Sequence, residues 1–322
     1  MISNTIAICT WNRAALLRGT LSRFAEIGST IPGPWELIVV NNNCTDETDG
    51  VIQSFTGRLP IRRVFEPTPG LSAARNAAIA AARGDYIFWT DDDVIVNEEW
   101  IPALLDGLRS SNADWVFGRS EPVWEGGEPK WYSHDFDGYF ALLNYGAEPF
   151  VVTDRFHPFF GLNFGSRRDA LARLGPFRTD FGPCENGGGV GDDVDMFYRA
   201  LTANMRISYI PRSVVKHIVP ATRSVKSVQR RKAWVGSEAY VEWLNETSPD
   251  VPRIAGIPRY FYRLAIDDAL GYVKGLLRRD AAKNFYHELR LVRFVGMICA
   301  AARRRSPAPA AIAPRAEPKS DA

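Results

Sequence analysis

Residues 85–93 read DYIFWTDDD, and this stretch does most to decide the fold. Its apolar run, residues 86–89, is typical of a parallel strand that is buried on both faces. Three carboxylates follow, Asp91, Asp92 and Asp93. Carboxylates grouped at the end of a buried strand repel one another, and a cation that prefers oxygen ligands, such as Mg²⁺ or Mn²⁺, relieves that repulsion. The stretch therefore predicts a strand that brings an acidic, metal-binding cluster to one edge of a sheet.

Apolar runs and helical periodicities alternate before this stretch. The pattern predicts strands at 5–10, 35–40, 61–65 and 85–90, and helices at 13–27, 46–55 and 71–83. Such alternation is typical of an α/β fold with a mostly parallel sheet and flanking helices. Ligands bind these sheets beyond the carboxyl ends of the strands, where Thr10, Asn41–Asn43 and the three aspartates fall. We therefore expect a ligand site at that edge.

The pattern is looser after residue 98. We expect strands at 114–118, 159–167, 205–210 and 213–219, helices at 98–110, 168–174 and 192–203, and mostly helices over 224–303. Residues 306–322, rich in Pro and Ala, are predicted to be disordered. Aromatic residues are frequent over 122–160, where they form either core packing or a wall against which a sugar ring stacks.

Composition and charge exclude several classes of protein. The 322 residues are 46% hydrophobic, enough for a substantial core, and the formal net charge of +2 gives no sign of a nucleic-acid partner. Residues 253–305 contain twelve Lys or Arg and four Asp or Glu, so they carry about +8 and leave about −6 elsewhere. The four cysteines have no CxxC spacing, which argues against a zinc site or a disulfide framework.

The basic region also predicts a contact with a membrane. The N-terminal residues lack the basic segment of a signal peptide, and no apolar run reaches the ~18–20 residues needed to span a bilayer. We therefore expect a cytoplasmic protein that contacts the inner membrane face peripherally. The expected contact is a helical stripe beside Arg303–Arg305 that contains Leu289, Val292, Val295 and Cys299. The alternative is that these helices pack on the rest of the protein.

A second acidic cluster begins a predicted helix. Asp192, Asp193 and Asp195 follow the glycines at 187–189. Asp195 and Arg199 are four residues apart and should pair on one face of the helix. Asp193 is rotated away from both, which makes it the freer carboxylate and a candidate base. Helix capping is the alternative role for all three aspartates.

Seven motifs in a fixed order resemble bacterial family 2 glycosyltransferases. They are CTWNR at 9–13, VVNNNCTD at 39–46, GLSAARN at 70–76, DDD at 91–93, GLNFGSRR at 161–168, GDDVD at 191–195 with Arg199, and the strand-ending His217. The resemblance covers roughly residues 4–240. It implies the A-type glycosyltransferase fold, an inverting mechanism, a divalent metal and a nucleotide-sugar donor. The chain departs from the family at Asn41, often Asp in relatives, at Cys44, often Ser, and at Asp192, often Glu.

The resemblance also implies roles for single residues. Asp93 would bind the metal and His217 would complete its ligands, while Asp193 would be the catalytic base. The cations after His217 would lie near the phosphates: Arg223, Lys226, Arg230 and Arg231. The candidate donor-binding residues are Thr10, Trp11, Asn12, Asn42, Arg75, Asp91 and Asp92.

Three of these donor-binding candidates have competing roles. The Asn42 amide offers a donor and an acceptor to a pyrimidine edge, but asparagine is also common in turns. Trp11 offers a stacking face to the nucleotide or belongs to the core. Arg75 contacts the diphosphate or a structural partner, or forms a surface salt bridge.

Together these features predict an inverting glycosyltransferase that depends on Mn²⁺ or Mg²⁺. It would transfer a sugar from a UDP-linked donor to a saccharide or lipid-linked saccharide in cell-envelope or exported polysaccharide synthesis. We expect a catalytic domain at 1–245, with a donor half at 1–120 and an acceptor half at 121–245, then a basic helical region at 246–305. The alternatives are a metal-dependent sugar nucleotidyltransferase and a non-catalytic sugar-nucleotide-binding protein.

Overall fold

The computed structural model describes residues 2–180 and 191–305. The predicted glycine loop at 187–189 and the predicted disordered tail at 306–322 lie outside the described residues. The strands are β1 Asn4–Thr10, β2 Trp35–Asn41, β3 Ile61–Phe65, β4 Tyr86–Asp91, β5 Val94–Val96, β6 Trp115–Trp124, β7 Phe150–Val151, β8 Phe164–Arg167, β9 Ile207–Val219, β10 Arg253–Ile254 and β11 Ile257–Pro258. The helices are α1 Ala14–Ile27, α2 Thr48–Ser54, α3 Leu71–Ala81, α4 Trp100–Ser110, α5 Arg168–Leu174, α6 Asp192–Thr202, α7 Lys226–Thr247, α8 Arg259–Leu277 and α9 Ala281–Arg305.

One large curled sheet organises the described part of the chain. Its strand order is β3-β2-β1-β4-β8-β6-β9-β5, and β7 pairs with β9. The first four strands in that order are parallel, whereas β8 runs antiparallel to both β4 and β6. The mostly parallel α/β fold predicted from the sequence is confirmed. A separate hairpin, β10-β11, precedes α8.

Helices cover both faces of the sheet because its strands are apolar on both faces. Ile6 and Ile8 of β1 point to the face covered by α1, while Ala7 points to the face covered by α3. All three side chains are fully buried. Alternate residues of one strand thus enter two different cores, which explains the uninterrupted apolar runs in the sequence.

The structure corrects two strand predictions. The predicted strands at 205–210 and 213–219 form the single strand β9, which pairs with β6 across a shift in register between Phe117 and Arg119. Pro211 lies within that irregularity and does not end the strand, because the proline needs no ladder hydrogen bond there. The short strand β5 was missed. It pairs antiparallel with β9 and places Val94 opposite His217.

The C-terminal helices pack against the aromatic segment. Phe285 and Leu289 of α9 are buried with Trp131, Phe136 and Phe140. For these three aromatic residues the core alternative is therefore correct. Among the described residues, no helix is both long and apolar enough to cross a bilayer.

Candidate active site

The acidic turn between β4 and β5 is contacted by residues at the end of β1 and just after it. Strand register places Cys9 opposite Asp91. The Thr10 hydroxyl donates to Asp92 Oδ2 at 2.6 Å. Arg13 Nη1 lies 3.0 Å from both Asp92 Oδ1 and Asp93 Oδ2. The Arg13 side chain therefore bridges two of the three carboxylates, a role that the sequence reasoning missed although Arg13 belongs to the CTWNR motif.

Asp93 and His217 meet because β5 pairs with β9. His217 Nε2 lies 3.5 Å from Asp93 Oδ2, and both side chains are buried. The other ring nitrogen, Nδ1, donates to the carbonyl oxygen of Phe140 at 2.8 Å, and this contact orients the ring with Nε2 toward Asp93. Arg223 Nη1 lies 3.2 Å from Nε2. The structure thus brings together the two residues predicted to bind a metal.

The surroundings shift the pKa values of the three aspartates of the acidic turn differently. Burial raises the pKa of Asp91, although the charge of Arg75 opposes this. Burial also raises the pKa of Asp92 to about 6, against the attraction of Arg13. Burial acts on Asp93 in the same sense, but contacts with His217 and Arg13 outweigh it and lower the pKa of that carboxyl. Asp93 is thus the carboxyl of this turn whose pKa is lowered by its surroundings.

The chemistry of this pair fits a divalent cation that is also bound by phosphate. Asp93 Oδ1 is buried and has no hydrogen-bond partner in the part of the chain that the structure describes. Within residues 2–180 and 191–305, no group of three or more His, Cys, Asp or Glu side chains is arranged to hold a metal. Asp93 and His217 would therefore supply two ligands, and Mg²⁺ commonly completes such a shell with substrate phosphates and water.

Two predicted donor-binding asparagines hold loops together. Asn12 has a positive φ of 52°, and its Oδ1 accepts the N–H of Thr45 at 2.8 Å. The amide of Asn42 donates to the carbonyl oxygens of Glu66 and Thr68, and its Oδ1 accepts the N–H of Gly70. A base edge would have to compete with these backbone partners for the Asn42 amide.

Trp11 lies at the surface of the site. Its side chain is 45% exposed, so the core alternative for this residue is wrong. The exposed indole leaves an aromatic face available for stacking. Contact between Trp11 and a nucleotide stays a prediction.

Arg75 forms an interior ion pair with Asp192. Its Nη1 lies 2.6 Å from Asp192 Oδ2, and both side chains are 3% exposed. The guanidinium also lies over the ring of Phe177, with 5.3 Å to the ring centroid. A Cβ on Gly161 would come within 1.8 Å of Arg75 Nη2, so a residue without a side chain is required there. Of the roles weighed for Arg75, this geometry supports the structural partner.

Asp193 is held differently from its two acidic neighbours. Its Oδ2 accepts the N–H of Gly161 and its Oδ1 accepts the N–H of Val194, both at 2.8 Å. Among the described residues, Asp192 and Asp195 instead pair with arginines, and the predicted Asp195–Arg199 pair is confirmed at 2.8 Å. Burial raises the pKa of Asp193 to about 6, with a further rise from Asp192 and opposition from Arg75.

Backbone pairing relates Asp193 to the acidic turn. Gly161, which binds the Asp193 carboxylate, lies shortly before β8. The first residue of β8, Phe164, pairs with Trp89 near the carboxyl end of β4. Asp193 and the acidic turn therefore lie at the same edge of the sheet.

Cations also gather near the acidic turn. Burial, together with the positive charges of Arg223 and Arg13, lowers the pKa of Lys232 to about 8. Of the cations predicted to follow His217 near the phosphates, Arg223 reaches the site, whereas Lys226 and Arg230 lie over the ring of Phe285. No sequence pattern singles out Lys232, because the effect of Arg13 on its charge arises only in the folded chain.

Comparison with known sequences gives a family match. The model of the family "Glycosyl transferase family 2" matches residues 5–175. The succinoglycan biosynthesis protein ExoM of Rhizobium meliloti (strain 1021) is 27% identical over 223 residues, which are 68% of this chain and 68% of that protein. Validoxylamine A glucosyltransferase of Streptomyces hygroscopicus subsp. limoneus is 31% identical over 103 residues, which are 31% of this chain and 22% of that enzyme.

Solved structures share the fold. A mannosyltransferase, PcManGT, from Pyrobaculum calidifontis in complex with GDP-Man and Mn²⁺ has a TM-score of 0.60 at 20% identity, and the match covers 93% of this chain and 86% of that chain. S. aureus TarS 1–349 in complex with UDP-GlcNAc has a TM-score of 0.52 at 16% identity, covering 91% and 90%. At this identity the likeness shows the fold alone. The family match covers more than half of the chain, and the relatives are named as glycosyltransferases or polysaccharide biosynthesis proteins. The chain therefore belongs to glycosyl transferase family 2 and is a glycosyltransferase.

Proposed function

We propose that this glycosyltransferase is metal-dependent and inverting, and that it moves a sugar from a UDP-linked donor to a hydroxyl of a saccharide or lipid-linked saccharide. One observation carries the proposal. An ionised carboxylate beside an imidazole, Asp93 with His217, lies at the same sheet edge as Asp193, a carboxylate held by backbone N–H groups. The first pair suits a metal-bound diphosphate, and the second site suits a base.

The donor diphosphate would be held by charges at the acidic turn. A divalent cation bound by Asp93 and His217 would act as a Lewis acid and offset the charge on the departing diphosphate. Arg13 and Arg223 already contact these two side chains, and they would turn toward the phosphate oxygens. Lys232 would add a third positive charge, since the charges of both arginines act on its ammonium group.

Asp193 would remove the proton from the acceptor hydroxyl. That oxygen would then attack the anomeric carbon from the face opposite the nucleotide, which inverts the configuration at that carbon. The transition state resembles an oxocarbenium ion, as in glycoside hydrolysis. A base with a pKa of about 6 is ionised at neutral pH yet basic enough to accept a proton, which suits general-base catalysis.

The relatives support the choice of donor and product. One solved structure of the same fold holds GDP-Man with Mn²⁺, and another holds UDP-GlcNAc. A relative that matches 68% of this chain is named for succinoglycan biosynthesis. We therefore propose a nucleoside-diphosphate sugar as donor and a cell-envelope or exported polysaccharide as product.

Product analysis tests this proposal. The purified chain would be incubated with Mn²⁺, saccharide acceptors and a panel of UDP-, GDP- and dTDP-linked sugars. We expect release of a nucleoside diphosphate and, by NMR, a new glycosidic bond of configuration opposite to that of the donor. EDTA should stop the reaction. Retained configuration would contradict the inverting mechanism, and stabilisation by donors without turnover on any acceptor would contradict the proposed transfer.

A further inference from the structure

Helix α8 is the outer layer of the C-terminal helices. Among the described elements, α9 packs against both α7 and α8, whereas α8 packs mainly against α9. Several apolar residues of α9 are accordingly interior, since Phe285, Leu289 and Met297 are fully buried, although Val295 is 47% exposed. α8, in contrast, keeps large apolar side chains at the surface.

Four of these exposed side chains form one ridge. Ile266, Leu270, Val273 and Leu277 are 64%, 55%, 51% and 80% exposed. Their spacing of four, seven and eleven residues from Ile266 places them on one stripe of the helix. We call these four residues the α8 ridge.

The orientation of α8 is fixed by its opposite face. Asp268 is buried and accepts hydrogen bonds from Arg290 Nε at 2.7 Å and from His287 Nδ1 at 2.9 Å, both on α9. Gly275 is also buried, and a Cβ there would come within 2.9 Å of the Asn284 backbone. Since this face is locked onto α9, the α8 ridge points away from the protein.

Basic side chains border the α8 ridge. At about 100° per residue, Arg263, Lys274 and Arg278 lie along one side of the ridge. All three are exposed. Asp267 is the acidic residue on the same border. The whole region at 253–305 carries about +8.

We propose that the α8 ridge rests on an anionic lipid surface. An apolar stripe beside basic residues is the pattern of helices that lie in the membrane interface. The positive border complements acidic headgroups but would repel a second copy of the same surface. The proposal goes beyond the reaction and does not need it, but it would bring the enzyme to a lipid-linked acceptor.

The membrane contact proposed from the structure lies on α8, whereas the sequence analysis predicted one on α9. The sequence suggested a stripe on α9 through Leu289, Val292, Val295 and Cys299. That prediction is wrong for Leu289, which is fully buried with Trp131 and Phe136. The apolar spacing on α9 could not distinguish the two cases, because an apolar stripe on a helix has the same spacing whether it contacts lipid or another helix.

Vesicle flotation of the full chain tests the proposal. Two vesicle types would be used, phosphatidylcholine alone and phosphatidylcholine mixed with phosphatidylglycerol, each at low and high salt. We expect flotation with the anionic vesicles at low salt and partial release at high salt. The double variant Leu270→Gln/Leu277→Gln should lower partitioning about tenfold or more. The triple variant Arg263→Gln/Lys274→Gln/Arg278→Gln should lower binding to anionic vesicles only.

A matched control is Val295→Gln on α9, where the side chain is 47% exposed. It should float like the wild type, and circular dichroism melting would show that all variants fold. Absence of flotation with anionic vesicles at low salt would overturn the proposal, as would an equal loss in Val295→Gln. A dimer in light scattering that the Leu270/Leu277 variant dissociates, without flotation, would assign the ridge to a second copy instead. Donor turnover on a soluble acceptor needs no vesicle, so failure here is distinguishable from failure of the proposed function.

Discussion

Arg75 Nη1 lies 2.6 Å from Asp192 Oδ2, and both side chains are 3% exposed. Arg75 lies on α3 and Asp192 is the first residue of α6, so this contact joins two distant parts of the chain. Asp193, the proposed base, follows Asp192 directly in α6. The ion pair therefore also fixes the position of Asp193 at the start of that helix. The pair therefore links the stability of the fold to the geometry of the site.

Breaking this pair should destabilise the protein strongly. Asp192→Leu removes the carboxylate that the buried Arg75 guanidinium contacts directly, which costs about 3–5 kcal/mol in the free energy of unfolding. Urea denaturation measures this, and the double variant Arg75→Met/Asp192→Leu should recover much of the loss. The control is Arg212→Ala, whose pair with Asp106 is 63% and 64% exposed and should be worth at most about 1 kcal/mol. Equal stability of Asp192→Leu and wild type would contradict the structural role.

Asp93 should make donor binding depend on a metal. A UDP-linked sugar at a hundred times its dissociation constant should stabilise the wild type by about 2.7 kcal/mol when Mn²⁺ or Mg²⁺ is present. Asp93→Asn should lose most of that stabilisation, because the amide is a neutral and poorer metal ligand. Thermal melting with and without EDTA measures the difference, and Asp106→Asn on the surface is the control. If the donor stabilised the wild type equally in EDTA, donor binding would not depend on a metal, which would contradict this prediction.

The first four strands of the sheet could be predicted because each shows its pattern within a short stretch of sequence. β1, β2 and β4 are continuous apolar runs followed by polar residues, which indicates burial on both faces and a ligand edge. β5 could not be predicted, since three residues carry too little pattern and the strand exists only through its pairing with β9. The break expected near Pro211 was wrong for a similar reason, because β9 pairs with the same strand, β6, on both sides of the irregularity.

The contacts in the site also divide into short-range ones that could be predicted from the sequence and long-range ones that could not. The Asp195–Arg199 pair is a short-range helical contact, and its spacing predicted it. The bridging position of Arg13 and the Arg75–Asp192 pair join residues far apart in the sequence, and no spacing rule gives them. Asn42 shows the limit of arguing from residue type, because its amide suits a base edge but is engaged by the backbone.

Turnover should fall in acid if Asp193 is the base. Its pKa is raised to about 6 by burial and by Asp192, while Arg75 opposes the rise. Only the ionised carboxylate accepts a proton, so activity is present above this pKa and is lost as the pH falls through it. At one unit below the pKa, turnover should be about a tenth of its plateau. The measurement is kcat at saturating donor and Mn²⁺, and a flat profile across this range would argue against Asp193.

The central claim, that Asp193 is the catalytic base, is tested most directly by Asp193→Asn. The amide keeps the shape of the side chain but removes most of its basicity, so turnover should fall by about 10²–10⁴. Donor affinity in Mn²⁺ should change little, because the diphosphate would lie at Asp93 and His217. Both quantities would be measured on the same preparation, with turnover from nucleoside diphosphate release and affinity from calorimetry. The account predicts a large loss of turnover with donor affinity preserved; turnover within a few-fold of wild type would contradict it.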